Sequence, residues 1–118
     1  MTAHSDDLTI LVDPLHFNSS NSSLDLLSTI PRERLPFAQF CDAPVRASYT
    51  YDELIYAGRD ERLAPGLGEI PLKKIFEALP NNTPISLEVP QLKLCHEKGE
   101  RVALENLFQQ TQEFFAST

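Results

Sequence analysis

The chain has 118 residues, 42% hydrophobic and 23% charged, with 17 acidic and 10 basic side chains and a net charge of −7. That is enough for one domain with one core and too apolar for a disordered chain. The acidic balance disfavours binding nucleic acid or anionic membranes through charge alone. No apolar run approaches the ~20 residues of a membrane span. Residues 1–7 are polar and acidic, without the basic flank and apolar stretch of a signal peptide, so a cytoplasmic protein is expected. Cys41 and Cys95 are far apart and no Cys-x-x-Cys spacing occurs. They are expected to be reduced, buried or half-buried thiols, with neither a zinc site nor a redox motif.

Residues 8–12 (LTILV) form a short, β-branched apolar run, the pattern of a parallel strand covered on both faces. Asp13, Pro14, Leu15 and His16 end it, and a polar loop follows at residues 18–23 (NSSNSS). Ser22 with Asp25 is a capping signal for a short helix through Ile30. A second strand is expected at residues 37–41 (FAQFC), followed by Asp42, Ala43 and Pro44. A long insertion then runs over residues 45–69. Thr50 and Glu53 have capping-box spacing, so it should contain a short helix. Pro65-Gly66-Leu67-Gly68 is its tight turn.

Pro71 suits the first turn of the next helix. Leu72, Ile75, Phe76 and Leu79 give that helix one apolar face, and Pro80 stops it. A third strand is expected at residues 85–89 (ISLEV), between Pro84 and Pro90. Leu104, Leu107, Phe108, Thr111 and Phe115 form the stripe of a final amphipathic helix. The order β-α-β-loop-α-β-α implies right-handed crossovers in a parallel α/β sheet.

Polar residues gather at the strand ends. Asp13 ends the first strand, Gln39 and Asp42 lie in and after the second, and Glu88 interrupts the third. In parallel α/β folds the carboxyl ends of the strands form the active-site face. A buried ionised Glu is costly unless paired or metal-bound, and a structural salt bridge of Glu88 with Arg62 is the alternative to a functional role. Asp13, Gln39 and Glu88 offer two carboxylates and an amide carbonyl, hard oxygen donors suited to magnesium or manganese. His16 could donate a hydrogen bond to a substrate hydroxyl, or be a surface loop histidine. Arg62 could hold a substrate oxygen or phosphate bidentately, or be one more solvated charge beside Arg59, Asp60 and Glu61. His4 and His96 read as solvent-exposed. Phosphate-loop, Gly-x-Ser-x-Gly and His-Glu-x-x-His motifs are absent.

In order, Asp13-Pro-Leu-His16-Phe, Gln39-Phe-Cys-Asp42-Ala-Pro44, Arg62-Leu-Ala-Pro65-Gly66-Leu-Gly68-Glu69 and Leu87-Glu88-Val-Pro90 resemble the sugar-phosphate isomerase/epimerase family. That family has the xylose isomerase-like TIM barrel and includes hydroxypyruvate isomerase, inosose dehydratase and ketose 3-epimerases. The resemblance covers residues 8–115. It implies that the whole chain, residues 1–118, is a C-terminal fragment of such a barrel: its last three βα units, strands six to eight.

The family binds one divalent metal, commonly manganese or magnesium, through a Glu, an Asp, a His or Gln, and a second Glu. The resemblance assigns Asp13, Gln39 and Glu88 to the last three of these positions. It makes Glu88 the acid/base as well, and His16 and Arg62 substrate contacts. The implied chemistry is proton transfer through an enediolate of a sugar, sugar phosphate or keto-acid. The first Glu has no counterpart here, and the Arg-Ser-Gly-Gly loop of relatives is Asn-Ser-Ser-Asn-Ser-Ser. A full barrel takes roughly 250 residues. A truncated isomerase or epimerase, inactive as an isolated chain, is therefore expected, with self-association or a complementing N-terminal barrel segment as its partnership. The rival is a non-catalytic binding or structural piece of a split barrel. The related metal-dependent DNA-repair nuclease fold is disfavoured by the negative charge and the lack of a His-rich cluster.

Overall fold

A computed structural model describes residues 8–117; residues 1–7, with His4, lie outside them. Two short parallel strands form the sheet, β1 (Ala38–Phe40) and β2 (Ile85–Leu87). Their register is Ala38 to Ile85, Gln39 to Ser86 and Phe40 to Leu87. On the other side of β1, Val12 joins through a single parallel bridge to Ala38. The backbone N–H of Gln39 donates to the Val12 carbonyl at 2.8 Å.

The expected first strand is thus reduced to one bridge. The Ile10 N–H donates to the Arg34 carbonyl at 2.6 Å instead of joining the ladder, and Leu8, Ile10 and Leu11 are exposed. A buried parallel strand needs neighbours on both sides, and among the described residues this segment has β1 alone. The third strand is also shorter than expected. Pairing continues just past it, where the Glu88 N–H donates to the Phe40 carbonyl at 2.9 Å, before Pro90, which has no N–H to donate.

The side-chain period of two divides the sheet. Ala38 and Phe40 are fully buried toward the helices, while Gln39 between them is half-buried on the opposite face. The helix side is apolar: Phe40 and Leu87 pack with Leu15, Leu35, Leu72, Ile75, Phe114 and Phe115. Phe115 packs at a tilt on Phe76 and edge-to-face with Phe114, with ring centroids 4.9 and 5.2 Å apart.

The first helix, α1 (Pro14–Ser19), covers residues that the sequence reading gave only to the end of the first strand and the start of a polar loop. The second, α2 (Leu24–Leu27), is capped by Ser23, whose hydroxyl accepts from the Leu26 N–H at 3.2 Å. Ser22 was the expected cap, but its hydroxyl bonds that of Ser20, and the helix stops short of Ile30. The Thr50–Glu53 capping box is present in full and opens α3 (Tyr51–Asp60). Pro71 caps α4 (Leu72–Ala78) and does not sit inside it.

The sequence reading did not include α5 (Leu92–Lys98). Gln91 enters it in the left-handed region, at φ 51°. Gly99, at φ 87°, turns the chain into α6 (Glu100–Ala116). The buried row of α6 is Ala103, Leu107 and Thr111, while Leu104 and Phe108 are exposed at 65% and 62%. The seam follows an i, i+4, i+8 row, which leaves two members of the expected stripe beside it. No helix among the described residues is long and apolar enough to cross a membrane.

Candidate active site

The polar face of the sheet carries the site. Asp13 lies one residue beyond Val12 and caps α1, its Oδ1 accepting from the Leu15 N–H at 3.0 Å. Its Oδ2 accepts from Arg62 Nη1 at 2.9 Å. The two side chains are 12% and 8% exposed, so the pair is largely withdrawn from water. Arg62 also donates through Nε to the Gly58 carbonyl of α3 at 2.7 Å, and through Nη1 to Cys41 Sγ at 3.3 Å. Its Nη2 lies 3.4 Å from His16 Nε2. Burial opposes the guanidinium charge, but the Asp13 carboxylate and its hydrogen bond outweigh this and push the Arg62 pKa above its usual range.

Gln39 and Glu88 meet across β1 and β2, where Gln39 Nε2 donates to Glu88 Oε2 at 2.7 Å. A carboxylate can only accept, so the amide turns its NH2 toward Glu88 and keeps its carbonyl oxygen for another partner. The expected buried Glu88 is instead exposed, one residue past β2. Its partner is Gln39, and the salt bridge with Arg62 weighed above is not formed, because Arg62 is committed to Asp13. His16 is on the surface of α1, 61% exposed, with Nε2 3.9 Å from Asp13 Oδ2. Asp13, His16, Gln39, Arg62 and Glu88 all line one open cavity of about 920 Å3, whose remaining wall includes Leu11 and Leu26.

Asp42 holds the adjoining loop. Its carboxylate is buried and accepts from the N–H groups of Ala43, Gly66 and Ile70 at 2.9, 3.0 and 3.0 Å. Its backbone exchanges hydrogen bonds with Leu63 at 2.7 and 2.8 Å. Arg62, directly before Leu63, is placed by that anchor. Sequence reasoning noted Asp42 without this role; the signal was an Asp followed by the glycine-rich turn that its oxygens need. It also missed Cys41, which shares the Gln39 face by its spacing of two. Burial, partly offset by Arg62, pushes the Cys41 thiol up to about 11. Cys41 and the half-buried Cys95 are both free, as expected.

Among the described residues no three His, Cys, Asp or Glu side chains gather as a metal cluster. The donor set that faces the cavity is two carboxylates and one amide. Those oxygens suit a hard divalent cation that keeps water or substrate in its other positions, and they suit a thiolate-seeking metal poorly.

No family model and no curated protein matches the sequence. Solved structures do. A xylose isomerase-like TIM barrel/4-hydroxyphenylpyruvate dioxygenase fusion protein aligns with 73% of the chain at 26% identity and a TM-score of 0.61. The chain has the fold of part of a xylose isomerase-like barrel. The IOLI protein, solved with a bound zinc atom, aligns with 95% of the chain at 16% identity and a TM-score of 0.65. The chain spans 14% and 37% of the lengths of these two proteins. Within the xylose isomerase-like fold, the parallel order of Val12, β1 and β2 agrees with consecutive barrel strands.

Proposed function

We propose that the chain is the strand six to eight portion of a metal-dependent isomerase or epimerase acting on a sugar, sugar phosphate or keto-acid. The observation that carries the reading is the shared cavity: Asp13 just past the Val12 bridge, Gln39 within β1 and Glu88 just past β2 line it together with His16 and Arg62. Asp13, Gln39 and Glu88 would hold the cation, manganese or magnesium. When bound, it would supply Lewis-acid polarisation of substrate oxygens.

The chain's own residues do the rest. Glu88, exposed to the cavity and held by Gln39, takes the proton from the hydroxyl-bearing carbon next to the carbonyl and delivers it to the former carbonyl carbon of the enediolate, while the hydroxyl proton passes to the carbonyl oxygen. His16 donates to a substrate hydroxyl, and the Arg62 fork holds an oxygen of the same molecule. One base on one face suffices for aldose–ketose isomerisation. Epimerisation needs a second base on the opposite face, which a complementing N-terminal barrel segment would bring.

The test is solvent deuterium exchange into hydroxypyruvate or a ketose, with added manganese, by the chain combined with such a segment. Exchange that Glu88→Gln removes supports the reading; exchange that survives it does not. A non-catalytic piece of a split barrel is the second reading, favoured by the neutralisation of Asp13 by Arg62. It predicts no cation binding at Asp13.

A further inference from the structure

Asp13 is the cavity carboxylate closest to a full set of partners. Its Oδ1 is held by the Leu15 N–H and its Oδ2 by Arg62. A divalent cation entering there would have to share a carboxylate oxygen with a guanidinium in a poorly hydrated spot. Two positive groups on one oxygen repel, and the burial of Asp13 and Arg62 weakens the screening between them. Arg62, in turn, keeps a hold that does not involve Asp13, through Nε and the Gly58 carbonyl.

We propose that Arg62 is the resident counter-ion of Asp13, and that a divalent cation displaces it. The displaced fork, still tethered to α3 at Gly58, then becomes available to an anionic or hydroxyl-rich ligand in the cavity. This rests on the reading of Asp13 as part of a cation site, and it adds an order of events to that reading. Cation and guanidinium compete for one carboxylate, so removing the guanidinium must tighten cation binding. By the same linkage, a ligand that draws Arg62 away from Asp13 must tighten it too.

The experiment is a calorimetric titration of the full chain with manganese, for the native protein and for Arg62→Met, which keeps an apolar stem but not the charged fork. It is paired with nuclear magnetic resonance of the Arg62 Nη–H groups, which hold Asp13, in the native protein during a magnesium titration. The exchange predicts at least ~10-fold tighter manganese binding by Arg62→Met. It also predicts that the Arg62 Nη–H resonances move as magnesium saturates its site, while the Nε–H bonded to Gly58 moves less. Should Arg62→Met not fold, the native Nη–H resonances decide alone. Equal affinities with unmoved Nη–H resonances would overturn the exchange and leave the cation site standing. No binding by either protein would overturn both.

Discussion

Gly68 lies so close to Asp42 that a Cβ added to it would stand 2.5 Å from Asp42 Oδ1 and 2.5 Å from the Ala43 nitrogen. Both atoms are fixed. The carboxylate holds three backbone N–H groups, and Ala43 is part of the strand exit, its carbonyl accepting from the Glu69 N–H at 2.8 Å. Gly68→Ala must therefore push the turn off its anchor. The expected cost is about 1–3 kcal/mol, the usual range for overpacking, read as a lower urea midpoint. Asp42→Ala, which strands three N–H donors, should cost at least as much. An unchanged midpoint in both variants would show that the turn is not held this way.

The Asp13–Arg62 pair makes its own stability prediction. Both partners are largely buried, so removing either leaves an uncompensated charge. Asp13→Asn keeps the cap to Leu15 but not the charge, and should cost about 3 kcal/mol. The double variant with Arg62→Met should cost less than the sum of the two, by about 1 kcal/mol or more. Chemical denaturation of the four proteins measures this, and strict additivity would show that the pair is not coupled.

Glu88 is exposed and makes its hydrogen bond with Gln39, so Glu88→Gln should change stability by less than about 0.5 kcal/mol. In a complete barrel the same change should lower proton exchange into substrate by ~10²–10⁴-fold, as expected for loss of a general base. Large destabilisation with intact exchange would reverse the assignment and make Glu88 structural.

Cys41 supplies the pH dependence. Its thiol is pushed by burial up to about 11, from an ordinary 9.0. The folded state thus holds this proton more tightly than the unfolded state does. The resulting stability is complete below pH 9 and is lost as pH rises from about 9 to about 11. Cys41→Ala should flatten the denaturation midpoint over that window relative to the native chain. At pH 8 a thiol reagent should label Cys95 readily and Cys41 only on unfolding.

The α3 capping box was more legible than the extent of the strands, for a physical reason; α1 and α5, which have no such box, were not read. The Thr50–Glu53 box is a local signal completed by residues three apart, and it formed as read. Residues 8–12 are apolar in sequence, but strand structure depends on pairing with other segments, and only Val12 found a partner among the described residues. Asp13, Gln39 and Glu88 line one cavity because Asp13 follows the bridge beside β1, while Gln39 and Glu88 meet on one face of the paired segments. The pairing of Arg62 was not legible in the sequence. Nothing in the spacing of Arg62 says that a guanidinium will choose Asp13 over Glu88 across 49 positions of chain. That choice is set by the Asp42 anchor, which aims Arg62 from the neighbouring residue.

The last prediction concerns the chain by itself. Val12 pairs on one side with Ala38, and among the described residues its other side carries no strand, while β2 has its own open edge. Unpaired strand edges recruit further strands. Leu11 stands 51% exposed beside the site, Ile10 is 45% exposed in the same segment, and Leu26 is 69% exposed across the cavity. All three line the cavity with exposed apolar surface, of the kind that drives association. The isolated 118-residue chain should therefore associate in a concentration-dependent way, visible by light scattering. Leu11→Lys combined with Leu26→Glu should reduce that association. Proton exchange into substrate should be undetectable in the isolated chain with manganese, because Asp13, Gln39 and Glu88 hold a cation weakly without the further carboxylate that a preceding barrel strand would bring. Adding a polypeptide that carries the preceding barrel strands should suppress association and restore exchange together. A monodisperse monomer that unfolds cooperatively and turns over a ketose unaided would contradict both halves.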